Sequence, residues 1–188
     1  MLTDAERLAR GLGQLPPPSA RPALVIISGL PGSGKSFCCR KLAQRLPSVT
    51  LKSDALRRIL FKTPVYGFAE SALLFGAIRL LGERLLGLGI SVILDATNLA
   101  ERHRAIFCRL GERLGAKVVV VRVKAPEALV KMRLEKRLRE PAGDSGAGWD
   151  VYLKMKPSVE RIARRHIVID TSQDINPALD RIIAEINR

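Results

Sequence analysis

Two kinds of hydrophobic pattern alternate along the chain. Short apolar runs at Ala23–Ile27, Val49–Ser53, Ile90–Asp95, Lys117–Val123 and Ile167–Asp170 read as strands, and the unbroken apolar character of Lys117–Val123 predicts burial on both faces. Between them, apolar residues recur every three or four positions, as on one side of a helix. This spacing predicts helices over Phe37–Leu46, Asp54–Leu60, a long stretch carrying Leu74, Ile78, Leu81 and Leu85, then Leu99–Leu114, Pro126–Leu138, Trp149–Arg165 and Pro177–Asn187. The inward rows are expected to be Ile106, Phe107, Leu110 and Leu114 in one helix and Val130, Leu134 and Leu138 in the next. Thr3-Asp4-Ala5-Glu6 has the form of a capping box, opening a short helix to about Gly11. Pro16-Pro17-Pro18 and Pro22 follow, so residues 1–22 read as a helix and a stiff linker appended to one domain over 23–188. Strict alternation of strand and helix predicts an α/β fold. Its form is a three-layer αβα stack around a parallel sheet of about five strands, joined by right-handed crossovers.

Composition narrows this picture a little. Hydrophobic residues make up 47% and charged residues 27% of 188 residues, as in a globular domain large enough for a sizeable core. No apolar run is long enough to span a bilayer, and no partner membrane is expected. Cys38, Cys39 and Cys108 follow no metal-site or disulfide spacing, which predicts a reduced, cytoplasmic protein. The net charge is +14, with Arg outnumbering Lys 22 to 10. An anionic partner such as nucleic acid suits that balance, and so does a solvated basic surface.

Chemistry enters at Gly29-Leu30-Pro31-Gly32-Ser33-Gly34-Lys35-Ser36, between the first strand and the first long helix. The pattern is that of a phosphate-binding P-loop. Its glycines let successive N–H groups converge on one anion at a helix N-terminus. Lys35 would reach the β- and γ-phosphates of a nucleotide, and the Ser36 hydroxyl would hold Mg²⁺.

Four further features narrow the chemistry, and three of them stand at predicted carboxyl ends of strands, where open parallel sheets bind ligands. Asp95 ends a buried strand and could hold Mg²⁺ with Ser36, or cap the next helix. Asp54 could accept the proton of an attacking hydroxyl while Arg57, one turn later, grips a phosphate of the acceptor; equally, Asp54 could stabilise its own helix and Arg57 be solvated. Arg133 and Arg137, one turn apart and followed by a Gly-rich stretch, could neutralise charge on a transferred phosphoryl group, or belong to an exposed charged face. Asn98 and Arg102 follow Asp95 and are candidates for positioning the acceptor.

Taken together, G-L-P-G-S-G-K-S, S-D-A-L-R-R, S-V-I-L-D-A-T-N-L and the paired arginines resemble the bacterial P-loop kinases of the polynucleotide-kinase and zeta-toxin-like group, over about residues 23–187. The resemblance implies a nucleotide-kinase-like P-loop NTPase fold with a small lid at about 137–150. It makes Asp54 the general base, Arg57 the arginine for an acceptor phosphate, Arg133 and Arg137 the lid arginines on ATP, and Thr171 a neighbour of the adenine. Before Trp149 the chain departs from the group's acidic lid pattern. The activity expected is ATP- and Mg²⁺-dependent transfer of the γ-phosphoryl group to a hydroxyl, with ATP hydrolysis on the side. A polynucleotide 5′-hydroxyl is the first expected acceptor; a small-molecule alcohol is the alternative, and so is a nucleotide-binding switch with little transfer.

Overall fold

The computed structural model describes residues 2–139 and 147–188. Five strands, β1 (Ala23–Ser28), β2 (Ser48–Lys52), β3 (Ser91–Asp95), β4 (Lys117–Lys124) and β5 (Ile167–Asp170), form one sheet in the order β2-β3-β1-β4-β5. Every pairing is parallel. Parallel strands require crossovers, and the periodic stretches supply them as helices: α2 (Lys35–Ala43), α3 (Ser53–Leu60), α4 (Phe68–Gly87), α5 (Glu101–Arg113), α6 (Glu127–Arg139), α7 (Trp149–Met155) and α8 (Asn176–Ile186). The expected α/β three-layer stack is therefore the observed one.

Alternation along the strands sends side chains to two cores. Leu24, Ile26, Val92, Leu94 and Val120 face α3, α4 and α5. Val25, Ile27, Ile93, Val121 and Ile169 face α2 and α8, meeting Cys38, Cys39, Leu42, Leu179 and Ile182. With both faces covered, the central strands bury all their side chains, which is why they read as unbroken apolar runs.

Four expectations need correction. The N-terminal helix, α1 (Asp4–Arg10), has the predicted capping box, but it is no appendage: Leu8 is fully buried in the core shared with α3 and α4. The helix predicted over Trp149–Arg165 stops at Met155, passes through a 3₁₀ turn at Lys156–Ser158 and continues as irregular backbone. Pro157 lacks the N–H that would continue the α-helical hydrogen-bond ladder. Leu138 is exposed, because the α6 row that meets the core ends at Leu134. Ile106 is exposed too, since α5 turns Arg104, Phe107, Cys108 and Gly111 inward instead. Of the expected lid, residues 140–146 lie outside the described residues.

Candidate functional site

Parallel order brings the carboxyl ends of β1, β2 and β3 to one edge, and the expected chemistry collects there. β1 stops at Ser28 and the P-loop turns into α2 with Gly34 as its N-cap. Gly32 and Gly34 have φ of +77° and +95°, a region closed to most side chains. A Cβ at Gly32 would come within 2.8 Å of Val130 and 2.9 Å of Leu134; at Gly34 it would meet Thr171 at 2.9 Å. The loop is thus clamped by α6 on one side and by the turn after β5 on the other.

Hydrogen bonds complete the clamp. Thr171 donates its hydroxyl to the Ser33 carbonyl at 2.8 Å and accepts from Arg133 Nη1 at 2.7 Å. Arg133 also donates to the Thr171 carbonyl at 3.0 Å and reaches the Gly32 carbonyl at 3.5 Å. So Arg133 lies on the P-loop backbone, and Thr171 is a strut between that loop and β5. Leu30 and Pro31 pack at least partly against protein, and Leu30 offers its carbonyl to Lys35 Nζ at 3.0 Å.

Lys35 is the electrostatic centre. Burial pushes its ammonium pKa down, while the carboxylates of Asp95 and Asp54 pull it up and Arg137 adds to the lowering. A phosphate group arriving here would replace the water that burial has taken from the lysine.

On the metal side, Ser36 and Asp95 line one cavity of about 520 Å³ with Cys39, Thr50 and Lys52. Asp95 is buried and lies in register with Lys52 of β2. Burial first, and then the Asp95 charge, push the Cys39 thiol pKa upward, so it stays protonated. Among the described residues no group of three His, Cys, Asp or Glu could cage a metal by itself. One hydroxyl and one carboxylate, with room beside them, suit Mg²⁺, which keeps waters and phosphate oxygens as its remaining ligands.

At the carboxyl end of β2, Asp54 is half-buried in the first turn of α3, and Arg57 follows one turn later. Arg57 is engaged by other side chains. Its Nη1 is ion-paired with the buried Glu70, its Nη2 donates to Ser71 Oγ at 3.2 Å, and its guanidinium carbon lies 4.7 Å from the Tyr66 ring centre. Asn98 is buried with φ +44°, and its amide donates to the Ile27 carbonyl at 2.7 Å, so it secures the end of β1. Arg102 is exposed on α5. Two residues now seen at the site's edge were not singled out by sequence. Glu70 gave only the signal of an acid in a helix's first turn. Arg104, buried and donating to the carbonyls of Asn98 and Leu99 at 2.6 and 2.5 Å, was hidden among many arginines.

With this geometry in view, comparison with known proteins finds a family model described as an AAA domain that matches residues 24–162. The chain belongs to the AAA domain family. Several solved structures share this AAA-domain fold at low identity. The APS kinase CysC of Mycobacterium tuberculosis, in complex with AMPPNP and APS, is 20% identical with a TM-score of 0.68, over 92% of this chain and 100% of that one. Chaetomium thermophilum Kti12, in complex with ADP-AlF3, is 18% identical with a TM-score of 0.69, over 87% and 98%. A gluconokinase from Sinorhizobium meliloti 1021 is 19% identical with a TM-score of 0.61, over 89% and 93%. A comparison with curated protein sequences found no match. The AAA domain family is broader than the polynucleotide-kinase and zeta-toxin-like group that the motifs resemble, and the kinases among the structural neighbours include enzymes of small molecules. No helix among the described residues is long and apolar enough to cross a membrane.

Proposed function

We propose that this AAA-domain protein is a P-loop kinase that transfers the γ-phosphoryl group of ATP to the hydroxyl of a small molecule. The observation that supports the reading is the convergence, at one edge of the sheet, of the P-loop after β1, Asp95 at the end of β3 and Asp54 in the first turn of α3 just after β2. A nucleotide switch would use Asp95 for its metal. A transferase would use Asp54 as well, as the base for the acceptor hydroxyl.

The P-loop N–H groups and Lys35 would cradle the phosphates, with Arg133 and Arg137 approaching from α6. Ser36 and Asp95 would hold Mg²⁺, which when bound supplies charge neutralisation between the β- and γ-phosphates. Asp54 accepts the proton of the acceptor hydroxyl; the oxygen forms a bond to the γ-phosphorus; the bond to the β,γ-bridging oxygen breaks; ADP leaves with that electron pair. Lys35 and the arginines stabilise charge on the phosphoryl oxygens as this happens, and their fixed positions make the stabilisation available without reorganisation.

Support for a small acceptor over a polynucleotide end comes from two directions. APS kinase and gluconokinase, named for small-molecule substrates, share the fold. The arginine expected to hold a nucleic acid phosphate is engaged by Glu70. The test is transfer of labelled γ-phosphate from ATP to a panel of small alcohols and to a 5′-hydroxyl oligonucleotide. The reading predicts a labelled small alcohol, with a KM that changes little as salt rises. Labelling of the oligonucleotide with a KM that rises steeply with salt would return the polynucleotide acceptor to first place.

A further inference from the structure

Arg57 sits on the same side of α3 as Asp54, one turn on, where an acceptor must lie for its hydroxyl to reach the carboxylate. Recognition of a phosphate by arginine uses two parallel N–H groups along one edge of the guanidinium. Neither edge is open here. On one, Nη1 is ion-paired with Glu70 and Nη2 is bonded to Ser71. On the other, Nε is fully buried and has no partner, so a ligand cannot reach it. One face of the group is covered by the Tyr66 ring.

Glu70 is itself firmly held. It accepts from the backbone N–H of Val65 at 2.8 Å and of Tyr66 at 3.2 Å, so the loop between α3 and α4 folds around the pair. Tyr66 adopts φ +56° to make this possible. Both charged side chains are only 7% exposed. A buried arginine whose charge is matched by a buried glutamate contributes little net attraction to an incoming anion, because the two fields cancel at ligand distance. What the loop presents to solvent instead is apolar: Val65 is 75%, Tyr66 55% and Phe68 85% exposed.

We propose that the Glu70–Arg57 pair closes the acceptor side of this site to phosphate-bearing molecules and selects an uncharged alcohol. This rests on the kinase reading and adds the class of acceptor to it. Glu70 acts as a specificity-determining residue: it engages Arg57, which would otherwise favour a phosphorylated substrate.

Inorganic phosphate tests this whichever alcohol the acceptor is. The protein is saturated with AMPPNP and Mg²⁺, which fills the P-loop, and phosphate is titrated by calorimetry. The wild type should show no saturable site. Glu70→Ala, which frees Nη1 and leaves the guanidinium charge unmatched, should bind phosphate roughly tenfold or more tighter than the wild type, as one charge-assisted hydrogen bond allows. Adding Arg57→Gln should abolish that gain. If the Ala variant does not fold, Glu70→Ser, too short to reach Nη1, takes its place in the same titration. Saturable phosphate binding by the wild type that Arg57→Gln removes would overturn the proposal; so would a folded Glu70→Ala that gains no affinity. Failure of the kinase reading shows itself separately, as absent AMPPNP binding in the first step.

Discussion

The hydroxyl of Thr171 donates to the carbonyl of Ser33 at 2.8 Å, across 138 residues of sequence. This bond joins the turn after β5 to the phosphate loop, and Arg133 braces it by binding both the hydroxyl and the carbonyl of Thr171. The shape of the P-loop is therefore set by tertiary contacts as well as by its glycines. Replacing Thr171 by Val keeps the bulk beside Gly34 but removes the hydroxyl. We expect a loss of about 0.5–1.5 kcal/mol in stability and a weaker affinity for AMPPNP, read by denaturant unfolding and by calorimetry.

Gly34 tolerates no side chain, by backbone and by space together. Gly34→Ala places a Cβ at φ +95° and 2.9 Å from Thr171 Cγ2. The strain should cost about 1–3 kcal/mol, and relief by distortion of the loop should reduce nucleotide binding more than it reduces the melting temperature.

Beneath the loop, Leu134 is fully buried and stands against Gly32. Leu134→Ala should cost about 2–5 kcal/mol. It should also weaken AMPPNP binding, since the loop loses the wall that α6 provides. A variant with the stability loss and unchanged binding would show that the loop keeps its form without α6.

Glu70 gives the protein a dependence on pH. Burial alone would raise its carboxyl pKa, but the Val65 N–H, Arg57 and the Tyr66 N–H outweigh that and hold it below the ordinary 4.5. A carboxyl lowered in the folded state stabilises the fold above its unfolded value, and the benefit disappears as pH falls through the folded one. The urea midpoint of the wild type should therefore decline as pH falls below about 4.5. In Glu70→Gln that part of the decline should be missing.

Much of this was legible in the sequence because it was local. The apolar runs and the 3.6-residue spacing identified all five strands and the order of the helices. The P-loop, Asp54 and Asp95 stood at strand ends, where parallel topology collects them. What escaped depended on contacts between distant segments. Whether Leu8 is buried depends on α3 and α4 arriving beside it. That Arg57 is ion-paired with Glu70 is not legible in the sequence, because Glu70 lies beyond a loop in another helix and no spacing rule links the two. Thr171 and Arg133 were expected near the nucleotide, but their bonds to the P-loop backbone required the turn after β5 to be placed. Leu138 failed for the reverse reason, since periodicity continues past the point where the helix leaves the core.

Asp54 carries the central claim, and one substitution tests it. Transfer of labelled γ-phosphate from ATP to the alcohol panel should be compared between the wild type and Asp54→Asn, with AMPPNP affinity measured for both. Loss of a general base should lower kcat by roughly 10²–10⁴-fold while nucleotide affinity stays the same, because the P-loop, Lys35 and Asp95 are untouched. Undiminished transfer by Asp54→Asn, or tight nucleotide binding by the wild type without transfer to any alcohol in the panel, would contradict the account.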